Sequence, residues 1–292
     1  MAALSPRKLQ PLIVQALRED AAWKDVTSAS VLPRGTVIRA QIISKQAGII
    51  AGIKVAMLAF MLRDSNIRLR QHIRSGKHVE AGARILTVEG PARSIFAAER
   101  AALNFLGHLS GIATLTHAFI QHTRGTKAKI LDTRKTLPGM RLLEKYAVAA
   151  GGGANHRLDL SDQVLIKTNH LKALSARRQA LSKQIQEMIA KAKKARPRRF
   201  VTIEVTGKQQ LMAALQAKPD CILLDNWPVA AIRKAVKYRN ATNKKVLLEA
   251  SGGVTLANVR AIAKTSIDRI SIGSLTHSAP SLDVSLRVIS PR

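Results

Sequence analysis

The chain has 292 residues, 46% of them hydrophobic, and a formal net charge of +30. That length and apolar content exclude wholesale disorder and suit one large or two modest domains with a substantial core. A single cysteine excludes an intramolecular disulfide and any multi-cysteine metal site, and no apolar run reaches the roughly 18 residues of a membrane span.

Taken in chain order, Ser5 to Glu19 reads as an amphipathic helix, with Leu9, Leu12, Ile13, Ala16 and Leu17 at helical spacing. Charges at Arg7, Lys8, Arg18, Glu19 and Asp20 leave no apolar signal-peptide core, so the cytoplasm is the expected location. Thr36 to Ile50 and Gly76 to Gly90 carry β-branched runs broken by glycine, which predict strands and turns. A long Ala- and Leu-rich helix is expected from Arg93 to His122. These elements predict an N-terminal mixed α/β domain with a connecting helix over 1–122, able to recruit the last residues of the chain.

After about Lys127 the texture changes. Short apolar runs recur at Ile130-Leu131, Val164 to Ile166, Val201 to Ile203, Ile222 to Leu224, Val246 to Leu248 and Ile270 to Ile272. Helical patterns separate them at Arg141 to Ala150, Leu171 to Ala195, Lys208 to Ala217, Val229 to Tyr238 and Leu256 to Lys264. Six βα-like units without two more to complete eight predict an incomplete (β/α) barrel over 123–292. Cys221 sits inside one apolar run, where a buried inert thiol is the expected state. Between Leu171 and Phe200, ten Lys or Arg residues face one acid, Glu187. The bland reading of that stretch is a solvated helix and loop.

The expected strands end in chemistry. In order, the ends carry Asp132-Thr133-Arg134-Lys135, Lys167, Glu204, Asp225, Glu249-Ala250-Ser251-Gly252-Gly253 and Gly273. In β/α barrels these ends form one rim, where catalytic groups cluster. Arg134, Lys135, Lys167 and the His156-Arg157 pair suit an anionic ligand, since arginine grips carboxylate or phosphate by paired hydrogen bonds. Glu204, Asp225 and Glu249 suit either Mg²⁺ or a buried ion pair with the rim cations. Ser251-Gly252-Gly253 and Ser271-Ile272-Gly273 allow backbone N–H groups to approach phosphate.

At these residues the chain resembles quinolinate phosphoribosyltransferase. The resemblance runs through Asp132-Thr133-Arg134-Lys135-Thr136-Leu137-Pro138-Gly139, Glu144-Lys145-Tyr146-Ala147, and Gly151-Gly152-Gly153-Ala154-Asn155-His156-Arg157. It continues through Leu165 to His170, Leu223 to Asn226, Leu248 to Gly253 and Ser271 to Ser278, and upstream through Glu99 to Asn104 and Leu109 to Thr114. It implies transfer of a phosphoribosyl group from phosphoribosyl pyrophosphate to quinolinate, with Mg²⁺, giving nicotinate mononucleotide, pyrophosphate and CO2 for NAD biosynthesis. It implies a homodimer in which Arg100 reaches in from the partner. Matching motif by motif, Arg134, His156, Arg157 and Lys167 would hold the quinolinate carboxylates. Lys135, Glu204, Asp225, Ser251, Gly252, Gly253, Gly273 and His277 would line the phosphoribosyl pyrophosphate region, with Thr133 and Ser271 added to the substrate-binding set. Lys135, Lys167, Glu204 and Asp225 are the expected catalytic residues, and Glu204 and Asp225 the Mg²⁺ ligands.

The chain departs from the family pattern at Thr168 and Thr202, where acidic residues are usual, and at Thr206-Gly207. Those departures bear on the metal site. A rival within the fold is the related molybdenum-transport-associated protein, against which the intact Thr133-Arg134-Lys135 and Asn155-His156-Arg157 sets weigh. A second rival, suggested by charge alone, is a nucleic-acid-binding protein. Trp23, Trp227, Tyr146 and Tyr238 are too few and scattered for a base-stacking surface, which leaves weak nonspecific binding as a side property.

Overall fold

The structure, a computed structural model, describes residues 5–174 and 180–291. The chain opens with α1 (Pro6–Glu19), whose Leu9, Ile13 and Leu17 form one buried stripe. α2 (Val26–Val31) starts at Asp25, whose carboxylate accepts the Ser28 N–H at 3.0 Å. There follow β1 (Val37–Ser44), β2 (Gly48–Ile49), α3 (Ile53–Arg63), β3 (Arg68–Gln71), β4 (His78–Val79), β5 (Arg84–Pro91) and the 32-residue α4 (Ala92–Thr123). The later run is β6 (Lys129–Leu131), α5 (Arg141–Ala150), β7 (Val164–Ile166), α6 (Thr168–Ala173) and α7 (Leu181–Ala195). It ends with β8 (Val201–Val205), α8 (Lys208–Ala217), β9 (Cys221–Asp225), α9 (Val229–Thr242), β10 (Leu247–Ser251), α10 (Leu256–Ala263), β11 (Arg269–Ser271), α11 (Ser274–His277) and β12 (Val284–Pro291).

Two compact units result. The first holds Met1–His117, Thr136–Gly152 and Ser274–Arg292; the second holds Ala118–Lys135 and Gly153–Gly273. The chain crosses between the units four times, after His117, Lys135, Gly152 and Gly273, where the sequence suggested one cut after residue 122 with the last residues recruited to the first domain. In the first unit an antiparallel sheet has the order β12-β1-β5-β3, so the last strand lies beside the first. Side chains alternate along β1, with Ile38, Ala40 and Ile42 buried. β3 (Arg-Leu-Arg-Gln) has too little apolar alternation to be read from sequence. α5 was expected between barrel strands, but its buried Leu143, Ala147 and Val148 belong to the first unit.

The second unit is a six-stranded parallel sheet in the order β6-β11-β10-β9-β8-β7. Chain neighbours from β7 to β11 are sheet neighbours, and β6 closes onto β11. A fully covered parallel sheet buries both faces of its strands, which explains continuous apolar runs such as Cys221-Ile222-Leu223-Leu224. Cys221 is fully buried, and burial pushes its thiol pKa well above the ordinary value. The helix expected over Leu171 to Ala195 is divided into α6 and α7; Ser175 to Gln179, with the cations Arg177 and Arg178, lie outside the described residues. Among the described residues no helix is long and apolar enough to cross a membrane.

Close approach within the first unit fixes Gly111 on α4. A Cβ there would lie 2.0 Å from the Pro280 carbonyl oxygen, in the segment leading to β12. Gly111→Ala is expected to cost about 1–3 kcal/mol, the usual range for forced overpacking. Urea denaturation checks this; an unchanged midpoint would mean that the segment before β12 does not press on α4.

Candidate active site

Because every strand pair in the second unit is parallel, the six C-terminal ends share one rim. A cavity of about 320 Å³ opens at that rim. Its cationic wall is Arg134, Lys135, His156, Arg157 and Lys167; its carboxylates are Glu204, Asp225 and Glu249. Thr133, Ser251 and Ser271 add hydroxyls, and Leu165 and Leu223 form the apolar part of the lining. Thus cations and carboxylates from four strand ends, and Glu249 from within β10, meet in one place.

Asp132 organises the cationic wall. Its buried carboxylate accepts the His156 backbone N–H at 2.8 Å and the Asn155 side-chain amide at 2.6 Å. Ala154 pairs with the end of β6, its N–H donating to Ile130 and its carbonyl accepting from Asp132. These bonds bring the Asn155-His156-Arg157 turn beside the Thr133-Arg134-Lys135 loop. The Arg157 backbone N–H donates to His156 Nδ1 at 2.7 Å, which leaves the ring proton on Nε2. Nε2 in turn lies 3.4 Å from Glu249 Oε1.

Glu249 is fully buried in the middle of β10, and Arg269 Nε lies 3.0 Å from its Oε2. Burial alone would raise its pKa, but the hydrogen bond from His156 and the charge of Arg269 outweigh that and hold it below the ordinary value. Sequence reading left Glu249 between a metal ligand and a buried ion pair; its mid-strand position makes it the ion pair. Arg157 is also buried, and its Nη1 donates to the Gln163 carbonyl at 3.1 Å. Burial, then the neighbouring charge of Arg134, lowers the Arg157 pKa from its usual value. A buried Arg157 guanidinium facing the like charge of Arg134 makes this wall a receptor for an anion.

Glu204 and Asp225, both half-buried, end the adjacent strands β8 and β9. Burial and then the charge of Glu204 raise the Asp225 pKa, against the opposing charges of Lys135 and Lys167. A repelling carboxylate pair suits a divalent cation. No cluster of three or more His, Cys, Asp or Glu suited to a metal occurs among the described residues. An ion held by this pair would therefore take most of its oxygens from substrate and water, the habit of Mg²⁺.

Thr168 meets this pair directly. Its backbone N–H lies 3.1 Å from Glu204 Oε1, and its hydroxyl donates to the same oxygen. Thr202, the other departure, is buried on β8 two residues before Glu204. At the next rim position Gly252 has φ +91°, and a Cβ there would lie 2.1 Å from Asn226 Oδ1, so only glycine fits. The Asn226 N–H donates to the Ser251 carbonyl at 2.8 Å, tying the loops after β9 and β10 together. Gly253 follows Gly252, and Gly273 follows β11. Arg100 and His277 belong to the first unit. Arg100 is exposed on α4, where it lines a cavity of about 540 Å³ with Glu19, Asp20 and His108. His277 ends α11, its Nδ1 2.6 Å from Ser278 Oγ. Sequence reasoning missed Arg269 as the counter-charge of Glu249; a charged residue inside a strand of a covered sheet was the available signal.

Comparison with known proteins agrees with this geometry. Residues 25–110 match the family model for the Quinolinate phosphoribosyl transferase, N-terminal domain, and residues 112–287 that for the C-terminal domain. The chain belongs to the quinolinate phosphoribosyltransferase family. It is 41% identical over 277 residues to the nicotinate-nucleotide pyrophosphorylase [carboxylating] of Mycobacterium leprae, covering 94% of this chain and 95% of that one. It is 38% identical to the probable enzyme of that name from Bacillus subtilis, over 96% of this chain and 93% of the relative. The solved nicotinate-nucleotide pyrophosphorylase of Francisella tularensis superposes with a TM-score of 0.89 at 37% identity, covering 98% of each chain. NadC from Streptococcus pyogenes superposes with a TM-score of 0.90 at 34% identity, over 99% of this chain and 100% of that one.

Within this phosphoribosyltransferase, the Thr168 hydroxyl is bonded to Glu204 and its removal can be tested. Thr168→Ala is expected to lower kcat/KM about tenfold, the worth of one hydrogen bond to a charged group. Thr168→Ser should restore most of it. Equal activity of the alanine and serine variants would mean that the backbone N–H alone holds Glu204.

Proposed function

We propose that the rim of the parallel sheet binds quinolinate and phosphoribosyl pyrophosphate, joins them and releases CO2. The product is nicotinate mononucleotide, with pyrophosphate leaving, and the enzyme is a decarboxylating pentosyltransferase of NAD biosynthesis. The observation that carries this reading is the convergence of Arg134, Arg157, His156 and Lys167 on one cavity beside the Glu204–Asp225 pair.

Quinolinate carries two adjacent carboxylates, and the cationic wall offers opposite charge to both. Arg134 and Arg157 would grip the carboxylates, while the Nε2–H of His156, oriented through Arg157 and Glu249, fixes one edge of the site. Neutral pyridines leave those cations uncompensated, so the same wall rejects them. Transfer at the ribose carbon breaks its bond to pyrophosphate as the pyridine nitrogen attacks, and the carbon gains oxocarbenium character. Glu204 and Asp225 are the groups whose negative charge would stabilise that carbon. Lys135 and Lys167 stand near enough to Asp225 for their charges to oppose the rise in its pKa; Lys135 would draw the leaving phosphates and Lys167 would face the quinolinate carboxylates. Bonded to ribose, the ring nitrogen is cationic and stabilises the electron pair left on C2 when the 2-carboxylate departs as CO2, and C2 then takes up a proton.

Glu204 and Asp225 would hold Mg²⁺, which when bound neutralises pyrophosphate oxygens as they leave. Thr133, Ser251, Gly252, Gly253, Ser271 and Gly273 would supply hydroxyl and backbone donors to phosphoribosyl pyrophosphate. The expected assembly is a homodimer in which Arg100 and His277 complete the substrate sites, Arg100 from the partner subunit. A buried lone cysteine and a reaction that feeds NAD biosynthesis fit a cytoplasmic enzyme.

The test is to mix purified protein with quinolinate, phosphoribosyl pyrophosphate and Mg²⁺ and follow nicotinate mononucleotide. Product is expected only with all three present. Arg134→Ala should reduce kcat/KM for quinolinate at least about 30-fold, the cost of removing one member of a close charge pair. Near-normal turnover in that variant would remove Arg134 from the quinolinate site. Quinolinate binding by the wild type without product would instead reassign the protein to a binding role.

A further inference from the structure

We infer that the outer face of the second unit formed by α7, α8 and α9 is a binding surface for a nucleic-acid phosphate backbone, independent of base sequence. The inference goes beyond the catalytic reading, since it concerns side chains on the opposite side of the helices from the sheet. Between Ala180 and Leu247 the chain carries fifteen Lys and Arg residues and four acids. Two of those acids, Glu204 and Asp225, line the catalytic cavity. A third, Asp220, accepts the Val201 N–H at 2.7 Å, and one cation, Arg239, is buried against Asp268. The outward face is left with Glu187 as its acid among many exposed cations.

The fold gathers those cations. α8 packs between α7 and α9, so the three helices form one continuous outer layer. Each turns its apolar side inward: Ile185 and Ile189 on α7, Leu211 and Leu215 on α8, Ile232 and Val236 on α9. Lys183, Lys191 and Lys194 on α7, and Arg233, Lys234 and Lys237 on α9, are therefore exposed. α7 has 15 residues and spans roughly 22 Å, the length of about six phosphates along one duplex strand.

The nature of the layer selects the partner. The exposed large apolar side chains among the described residues, including Trp23, Met61 and Leu160, all fall outside Ala180–Leu247. A helix that enters a membrane interface needs apolar side chains on its free face, and a protein interface needs aromatic or aliphatic anchors. This layer offers only Tyr238, half-exposed on α9 and covered by Lys208. A repeated phosphate charge asks for neither and is bound through counterion release. One aromatic ring, Tyr238 beneath Lys208, gives no run of stacking surfaces, so bases go unread.

The test measures fluorescence anisotropy of two labelled DNA duplexes of about 20 base pairs and unrelated sequence, from low salt to about 0.15 M. One variant replaces Lys183, Lys191, Lys194, Lys234 and Lys237 with Gln. A control makes the same charge change in the first unit, replacing Arg7, Lys24, Arg34, Arg74 and Lys77 with Gln. Both duplexes are expected to bind the wild type alike. The layer variant should bind at least about tenfold more weakly at the lowest salt, with a shallower dependence of log K on log salt. The control should keep most of the affinity. Both variants should keep the wild-type kcat, which reports that they fold; loss of product from every protein would fail the catalytic reading and leave this one standing. Equal weakening in both variants, or no wild-type binding at low salt, would overturn the proposal. Tighter binding to phosphatidylserine vesicles than to either duplex would overturn the choice of partner.

Discussion

A parallel sheet covered on both faces leaves its charged side chains one place to emerge, the strand ends. The second unit depends on that constraint. Its six strands are short, from three to five residues, and their central side chains are almost all apolar. Polar groups from different strands are thereby delivered to the same rim without any strand having to bend. The catalytic cavity is the consequence of that alignment.

Glu249 is the instructive exception. It breaks the apolar pattern of β10 and would be costly to bury as an unpaired charge. Arg269 on the neighbouring strand and His156 offset it, and His156 is held in turn by Asp132 through the backbone. One buried carboxylate thus orients the histidine whose Nε2 borders the anion-binding wall. A chain of contacts connects β6, β10 and β11 beneath the cations.

The rim and the outer layer divide the charge of the protein between two tasks. At the rim a cationic wall faces the adjacent Glu204–Asp225 pair across one cavity, so the local field is strong and directional. On the outer layer the cations stand apart on solvated helices, where salt screens them within about 10 Å. The first field suits small, multiply charged substrates. The second suits a partner whose own charge repeats.

The sequence by itself determined much of this. Apolar runs ending in Arg134, Lys167, Glu204 and Asp225 marked the sheet and its rim, because burial on both faces writes itself as a continuous run. The Asp132-to-Gly139 and Asn155-His156-Arg157 stretches carried the family resemblance. Tertiary structure alone decided that α5 belongs with the N-terminal elements, and that the returning last residues form a strand paired with β1, a contact between residues at opposite ends of the chain. It decided that Glu249 is a counter-charge, because its partner Arg269 lies across a strand pair and nothing in sequence spacing links them. It also turned Thr168 from an unexplained departure into a donor to Glu204. Local patterns report which side chains want burial; which buried or rim groups face one another depends on strand order, and that is set only when the sheet assembles.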